Sequence, residues 1–285
     1  MAYFIPAPTA YSTLPALNTS YGPSAIEGYE LSVTGTNEIS LAPGTAMAEN
    51  TNFQITYDGR QPLQNGTSIV INTSVVASKG VSGVYPVALS SLGLSDKTVF
   101  PVYVLGDSSG ENPTIGVVAT GNHFLVDFQS YDAFRRVGWV YIDDATLAVI
   151  PMTQSGSGYV RTYQLDNAVE VLNAGASQTA ASVLLGDGDA PVPPGPTSEV
   201  ILRASWTPAA AADTSSLTAT GVTSTTYPVV LKNAAALEAL SQVRMIPGVD
   251  SASGNAAVDY INSAAAGALT LHVSGWVDNL RLKVV

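Results

Sequence analysis

The 285-residue chain carries 22 acidic against 11 basic residues, a formal net charge of −11, and has no cysteine. That balance excludes the cationic surface that sequence-independent nucleic-acid binding requires, and it leaves neither disulfides nor thiolate metal sites to stabilise the fold. Charged residues make up 12% of the chain, about half the usual share, as expected of a surface that meets other subunits or of Gly- and Thr-rich β-sheet.

The first segment, MAYFIPAPTAYSTLPALNTSYGP, has no basic stretch followed by an apolar run, so neither a secretory signal nor a membrane anchor is expected. Pro6, Pro8, Pro15 and Pro23 forbid a helix, and no alternation supports a strand. Residues 1–27 therefore read as an extended arm, whose Tyr3, Phe4, Tyr11 and Tyr21 are candidates to lie against its own domain or a neighbouring subunit.

From Gly28 the texture changes to short runs of period-two alternation separated by Gly, Pro, Asn and Asp turns. Strands are expected over 29–33, 38–41, 52–57, 68–71, 99–105, 115–120, 135–142 and 149–152. A second set covers 159–165, 169–172, 182–185, 199–206, 216–219, 229–231, 242–246, 258–261 and 269–277. GDGDAPVPPGPTSE and TPAAAADTSS read as exposed loops, and NAAALEALS at 233–241 reads as a short helix. Without helical crossovers the sheets are antiparallel. The expected fold is all-β: an arm (1–27) and two antiparallel, jelly-roll-like β-sandwich domains, 28–158 and 159–285.

YDAFRRVGWVYI, residues 131–142, sets two arginines side by side within an apolar strand. Strand alternation points Arg135 to the face of Val137, Trp139 and Tyr141, and Arg136 to that of Phe134, Val140 and Ile142. The pair diverges, so no concentrated phosphate site forms. Each guanidinium needs compensation: Trp139 or Tyr141 as a stacking face for Arg135, Asp127 or Asp143 for Arg136. Both arginines are also candidates for a subunit interface, where Arg is enriched.

The order GYELSVTG (28–35), EISLAPGTAMAENTN (38–52), TVFPVYVLGD (98–107) and YDAFRRVGWVYID (131–143), closing with VRMIPGVD (243–250) and LTLHVSGWVDN (269–279), resembles segments recurrent in tailed-bacteriophage virion proteins. These are fibre, tail-associated and head-decorating β-proteins. The resemblance implies a structural virion subunit made in the cytoplasm of a bacterial host. Its expected partners are other capsid, neck or tail proteins and copies of itself, a trimer among the symmetries open to it. Such proteins act by assembly, so the resemblance transfers no catalytic residues.

The residues themselves offer little chemistry. His123 and His272 each lack a second histidine at ligand spacing, and no nucleophile elbow, Walker loop or dinucleotide fingerprint occurs. Asp143-Asp144 reads as a strand-end turn, and Asp187-Gly188-Asp189 lacks the rest of a calcium loop. The three Asn-x-Ser/Thr sequons, at Asn18, Asn65 and Asn72, are expected by chance in a Ser/Thr-rich chain. No cofactor, metal, nucleic acid or membrane partner is expected, nor is an enzyme. The alternative to assembly is a carbohydrate-binding fibre module using Trp206, Tyr227, Trp276 and Asp278; core packing competes for these aromatics. A polysaccharide hydrolase is disfavoured because no convincing carboxylate pair stands out.

Overall fold

The computed structural model describes residues 26–35, 38–48, 54–57, 71–72, 98–106, 114–118, 133–143, 148–156, 158–186, 191–193, 199–222, 229–232 and 239–280. Among these the chain is all-β, with several antiparallel sheets and no helix. Its contacts divide it into two compact units, the first Met1–Ser95 with Val99–Arg161 and the second Asp96–Thr98 with Thr162–Val285.

Unit 1 holds β1 (Ile26–Gly28), β2 (Leu31–Gly35), β3 (Glu38–Leu41), β4 (Gly44–Met47), β5 (Gln54–Tyr57), β6 (Ile71–Asn72), β7 (Thr98–Gly106), β8 (Thr114–Val118), β9 (Ala133–Asp143), β10 (Ala148–Val149) and β11 (Met152–Ser155). β1, β4 and β5 form one sheet in that order, and a second runs β10-β9-β7-β8-β6, with β6 parallel to β8. β11 and β3 flank β2. Residues 99–105 of β7 and 135–142 of β9 are buried without a break, the pattern of strands covered on both faces.

The arm's residues 1–25, with Tyr3, Phe4, Tyr11 and Tyr21, lie outside the described residues. Ile26 and Glu27, expected to end the arm, instead pair with Ala46 and Thr45 as β1. The ladder bonds gained there outweigh the lack of an alternating pattern in so short a run. After β1 the chain turns through Gly28 (φ 69°) and Tyr29 (φ 55°). A Cβ at Gly28 would stand 2.2 Å from the Pro43 carbonyl oxygen, so only glycine fits.

β12 (Val160–Gly175) crosses the division between the units. Unit 2 continues with β13 (Ala181–Leu184), β14 (Glu199–Thr207), β15 (Thr214–Ala219), β16 (Val229–Lys232), β17 (Ala239–Met245), β18 (Gly248–Val249), β19 (Ala256–Asn262) and β20 (Ala268–Asn279). One set of strands runs β17-β14-β20-β12, the other β13-β19-β15-β16, with β18 beside β19. A single hydrophobic cluster takes Val200, Leu202, Ala204, Trp206, Val243, Leu269 and Leu271 from the first set and Val183, Leu217, Leu231, Val258 and Tyr260 from the second. Each large side chain removed from water there contributes about 1.5–3 kcal/mol.

Two further expectations are corrected in unit 2. Ala239–Ser241, read as the end of a helix, belong to β17 and pair with Trp206, Ser205 and Ala204 of β14; residues 233–238 lie outside the described residues. A two-turn helix is marginal without tertiary support, whereas β14 offers a complete row of backbone partners. Within the proline-rich segment read as an exposed loop, Val192 is buried in the core cluster and its N–H donates to the Leu185 carbonyl at 2.9 Å. Pro191, Val192 and Pro193 are all buried, and with one backbone bond they anchor that part of the segment.

Candidate interaction surface

β14 alternates from Leu202 onward: Val200, Leu202, Ala204 and Trp206 point into the core, while on the opposite face Arg203 and Thr207 are exposed and Ser205 half-exposed; Ile201, beside the bulge, breaks the pattern and is buried. β17 repeats the pattern, with Val243 and Met245 buried and Leu240, Gln242 and Arg244 exposed. Register then fixes what lies beside what on the outer face. Leu240 sits opposite Ser205, Gln242 opposite Arg203, and Arg244 opposite Ile201; on the other side of β14, Thr270 flanks Ser205 and His272 flanks Arg203. His272 Nε2 lies 3.8 Å from Glu170 Oε2 on β12, both side chains partly open to solvent.

Arg203, Leu240, Ser241 and Gln242, with Ala204, line an open cleft of about 390 Å³. Leu240 is 79% exposed, more than any other large apolar residue described. Neither Arg203 nor Arg244 makes a hydrogen bond or ion pair among the described residues. The face thus combines two guanidinium groups that have no partner among the described residues with an open aliphatic side chain.

The side chains expected to form other sites lie elsewhere. Trp206 is fully buried in the unit 2 core, its Nε1–H donating to the Asp213 carbonyl at 3.4 Å. Trp276 is also fully buried and stacks on Tyr163, with ring centroids 5.0 Å apart and planes 15° from parallel. Asp278 is buried as well, and Tyr227 lies outside the described residues. Trp206 and Trp276 therefore present no ring face on which a sugar could stack; their burial is the core-packing alternative.

A β-bulge places Trp276. Ile201 pairs with Gly275 and Leu202 with Val273, leaving Ser274 as the extra residue. Its hydroxyl donates to the Ile201 carbonyl at 3.0 Å, and a Cβ at Gly275 would meet the Tyr163 carbonyl oxygen at 2.1 Å.

Arg135 and Arg136 are 5% and 2% exposed, so they offer almost no surface to a neighbouring subunit. Arg136, for which an acid was expected, has its guanidinium carbon 5.0 Å from the centre of the Trp139 ring. Strict alternation would put those two side chains on opposite faces. Gly138, with no side chain to intervene, lies between them.

Sequence reading passed over a third buried arginine, Arg161, which donates to the Gly28 carbonyl and, at 2.8 Å, to that of Gly156. It also missed Gln154, which accepts from Leu31 N–H at 2.8 Å and donates to the Val137 carbonyl at 3.4 Å. No residue pattern marks either one, since the partners are backbone carbonyls and an amide, which any residue supplies, and Gly28 and Leu31 lie far away in the chain.

Among the described residues no three His, Cys, Asp or Glu side chains are grouped to hold a metal, and no helix is long and apolar enough to cross a membrane. His123, Asp144, Asp187 and Asp189 lie outside the described residues, while Asp143 ends β9. Comparisons with protein-family models, with curated proteins and with solved structures found no match to the chain.

Proposed function

We propose that the chain is a non-enzymatic assembly subunit, a structural component of a tailed-phage virion, acting through contacts with copies of itself and with other particle proteins. In this reading each unit is a jelly-roll-like β-sandwich domain, and the aromatic, proline-rich arm adds contact area on a neighbour. The phage assignment rests on the sequence resemblance.

One observation carries the assembly reading. β16 and β17 each stand at the end of a strand order in unit 2, and each exposes a large aliphatic side chain, Val230 at 56% and Leu240 at 79%. Sheet edges in proteins that stay monomeric are usually protected by charge, proline or a covering segment. Each of these edges carries one exposed cation, Lys232 and Arg244, and the open aliphatic side chains beside them favour cover by another chain.

The test is the mass of the purified chain in solution, by size-exclusion chromatography with light scattering, together with its location in density of the parent particle. An oligomer, and a match to a head, neck or tail feature, are expected. A clean monomer whose arm is quickly lost to protease counts against self-assembly.

A further inference from the structure

The geometry points to the outer face of β14 and β17 as the place where a second copy of this chain docks a carboxylate-bearing segment, with Arg203 and Arg244 receiving the acids and Leu240 supplying the apolar contact. This rests on the assembly reading above and says which face and which chemistry serve it. Arg203 and Arg244 come from different strands and are brought diagonal to one another by the register, Arg203 opposite Gln242 and Arg244 two residues further along β17. Diagonal neighbours are close enough for long side chains to share one partner.

The shortage of base makes these two informative. With 22 acids to 11 bases, a guanidinium on this protein has more carboxylates available than it can use. Nevertheless neither Arg203 nor Arg244 is engaged among the described residues. The acids nearest by register do not take them up: Glu199 lies diagonal to Arg244 without an ion pair, and Glu170 lies beside His272. Planar guanidinium groups suit bidentate carboxylate recognition. Because the chain as a whole is strongly negative, this patch is a local exception on which the acidic surface of another copy can settle with electrostatic complementarity. An open cleft beside Leu240 is lined by Arg203 and Gln242.

Sedimentation velocity on the full chain tests the inference, in salt of about 0.05 M and about 0.5 M, either side of the ionic strength at which the screening length is about 10 Å. Two double variants are compared with the parent: Arg203→Glu with Arg244→Glu, and the milder Arg203→Gln with Arg244→Gln, each checked by thermal melting. The expected result is a parent oligomer that weakens in high salt and a dissociation constant raised by at least about tenfold in both variants. Should the charge reversal fail to fold, the Gln pair decides. A parent oligomer matched by both folded variants overturns this docking face and leaves the assembly reading standing. A parent that is monomeric at every salt concentration removes the assembly reading and this inference together.

Discussion

Where unit 2 fills its interior with Leu202, Trp206, Leu217, Leu271 and their neighbours, unit 1 places Arg135, Arg136, Gln154 and Arg161 among its buried groups. Both interiors are largely apolar, and unit 2 also buries Asn262 and Asp278; what unit 1 adds is three buried guanidinium groups. An apolar cluster is stabilised by area removed from water, and it tolerates exchange of one hydrophobic residue for another of similar volume. A buried guanidinium or amide is stabilising only while its partners stay in place, because its desolvation is large and its hydrogen bonds are directional. Unit 1 uses that directionality at its least regular backbone. Arg161 ties the left-handed Gly28 to Gly156, itself at φ 111°, and Gln154 links Leu31 of β2 to Val137 of β9. Such contacts fix a particular chain path; the cluster in unit 2 fixes a volume.

The largest effect should follow from emptying the apolar interior. Trp206→Ala is expected to cost about 3–5 kcal/mol, read by urea denaturation, and to act on unit 2. The indole is closely packed, since a Cβ at Gly267 would stand 2.2 Å from its ring. Trp206→Phe should recover much of the loss. If Trp206→Ala folds with undiminished stability, the contrast between the interiors fails at its stronger end. The same burial makes this variant unsuitable for testing sugar binding, because loss of fold would mimic loss of a site.

Arg161→Met, which keeps most of the side-chain length, is expected to cost about 2–4 kcal/mol, since two carbonyls lose their charged donor. Its damage should centre on the turn at Gly28 and Tyr29 and appear as faster amide exchange in β1 and β2. A smaller loss, about 1–3 kcal/mol, is expected for Gln154→Leu, which leaves the Leu31 amide and the Val137 carbonyl unsatisfied. Gln154→Glu should keep the acceptor for Leu31 N–H while setting a carboxylate oxygen against the Val137 carbonyl. Denaturant melts that rank Gln154→Leu above Arg161→Met would reverse the order argued here.

The apolar side of this contrast was legible in the sequence where alternation is regular. Residues 199–206 give both the strand and, by parity with Val200 and Leu202, the inward direction of Trp206. Parity alone does not place Trp276, because the bulge at Ser274 shifts the pairing between it and Leu271. β12 reads as two strands because burial fades after Leu165; polar residues such as Asp166, Asn167 and Glu170 lie exposed or half-exposed along it, so the backbone ladder continues where the side-chain signal stops. β4 was hidden behind the turn chemistry of Gly44. Arg203 and Arg244 carry the outward parity of their strands, but their proximity depends on the β14–β17 register, which one strand's sequence does not contain.

The smallest effect expected marks the boundary of the contrast: polar side chains should matter strongly only where they are buried. Asp250 provides the surface case. In the turn from β18 to β19 its Oδ2 accepts from Ser253 N–H at 2.7 Å, Ser253 Oγ–H at 2.8 Å and Ala252 N–H at 3.2 Å. The Ser253 hydroxyl, and after it the Ser253 amide, hold the carboxyl below its ordinary value, with slight desolvation acting the other way. A carboxyl whose pKa is lower folded than unfolded contributes stability that is present above the unfolded value and lost as pH falls through the folded one. Asp250→Ala should therefore lower stability slightly at neutral pH and leave the difference from the parent shrinking toward zero in acid, followed by thermal melts across the acid limb. A loss at neutral pH equal to that of Arg161→Met would show that hydrogen-bond geometry, and not burial, sets the worth of polar groups in this fold.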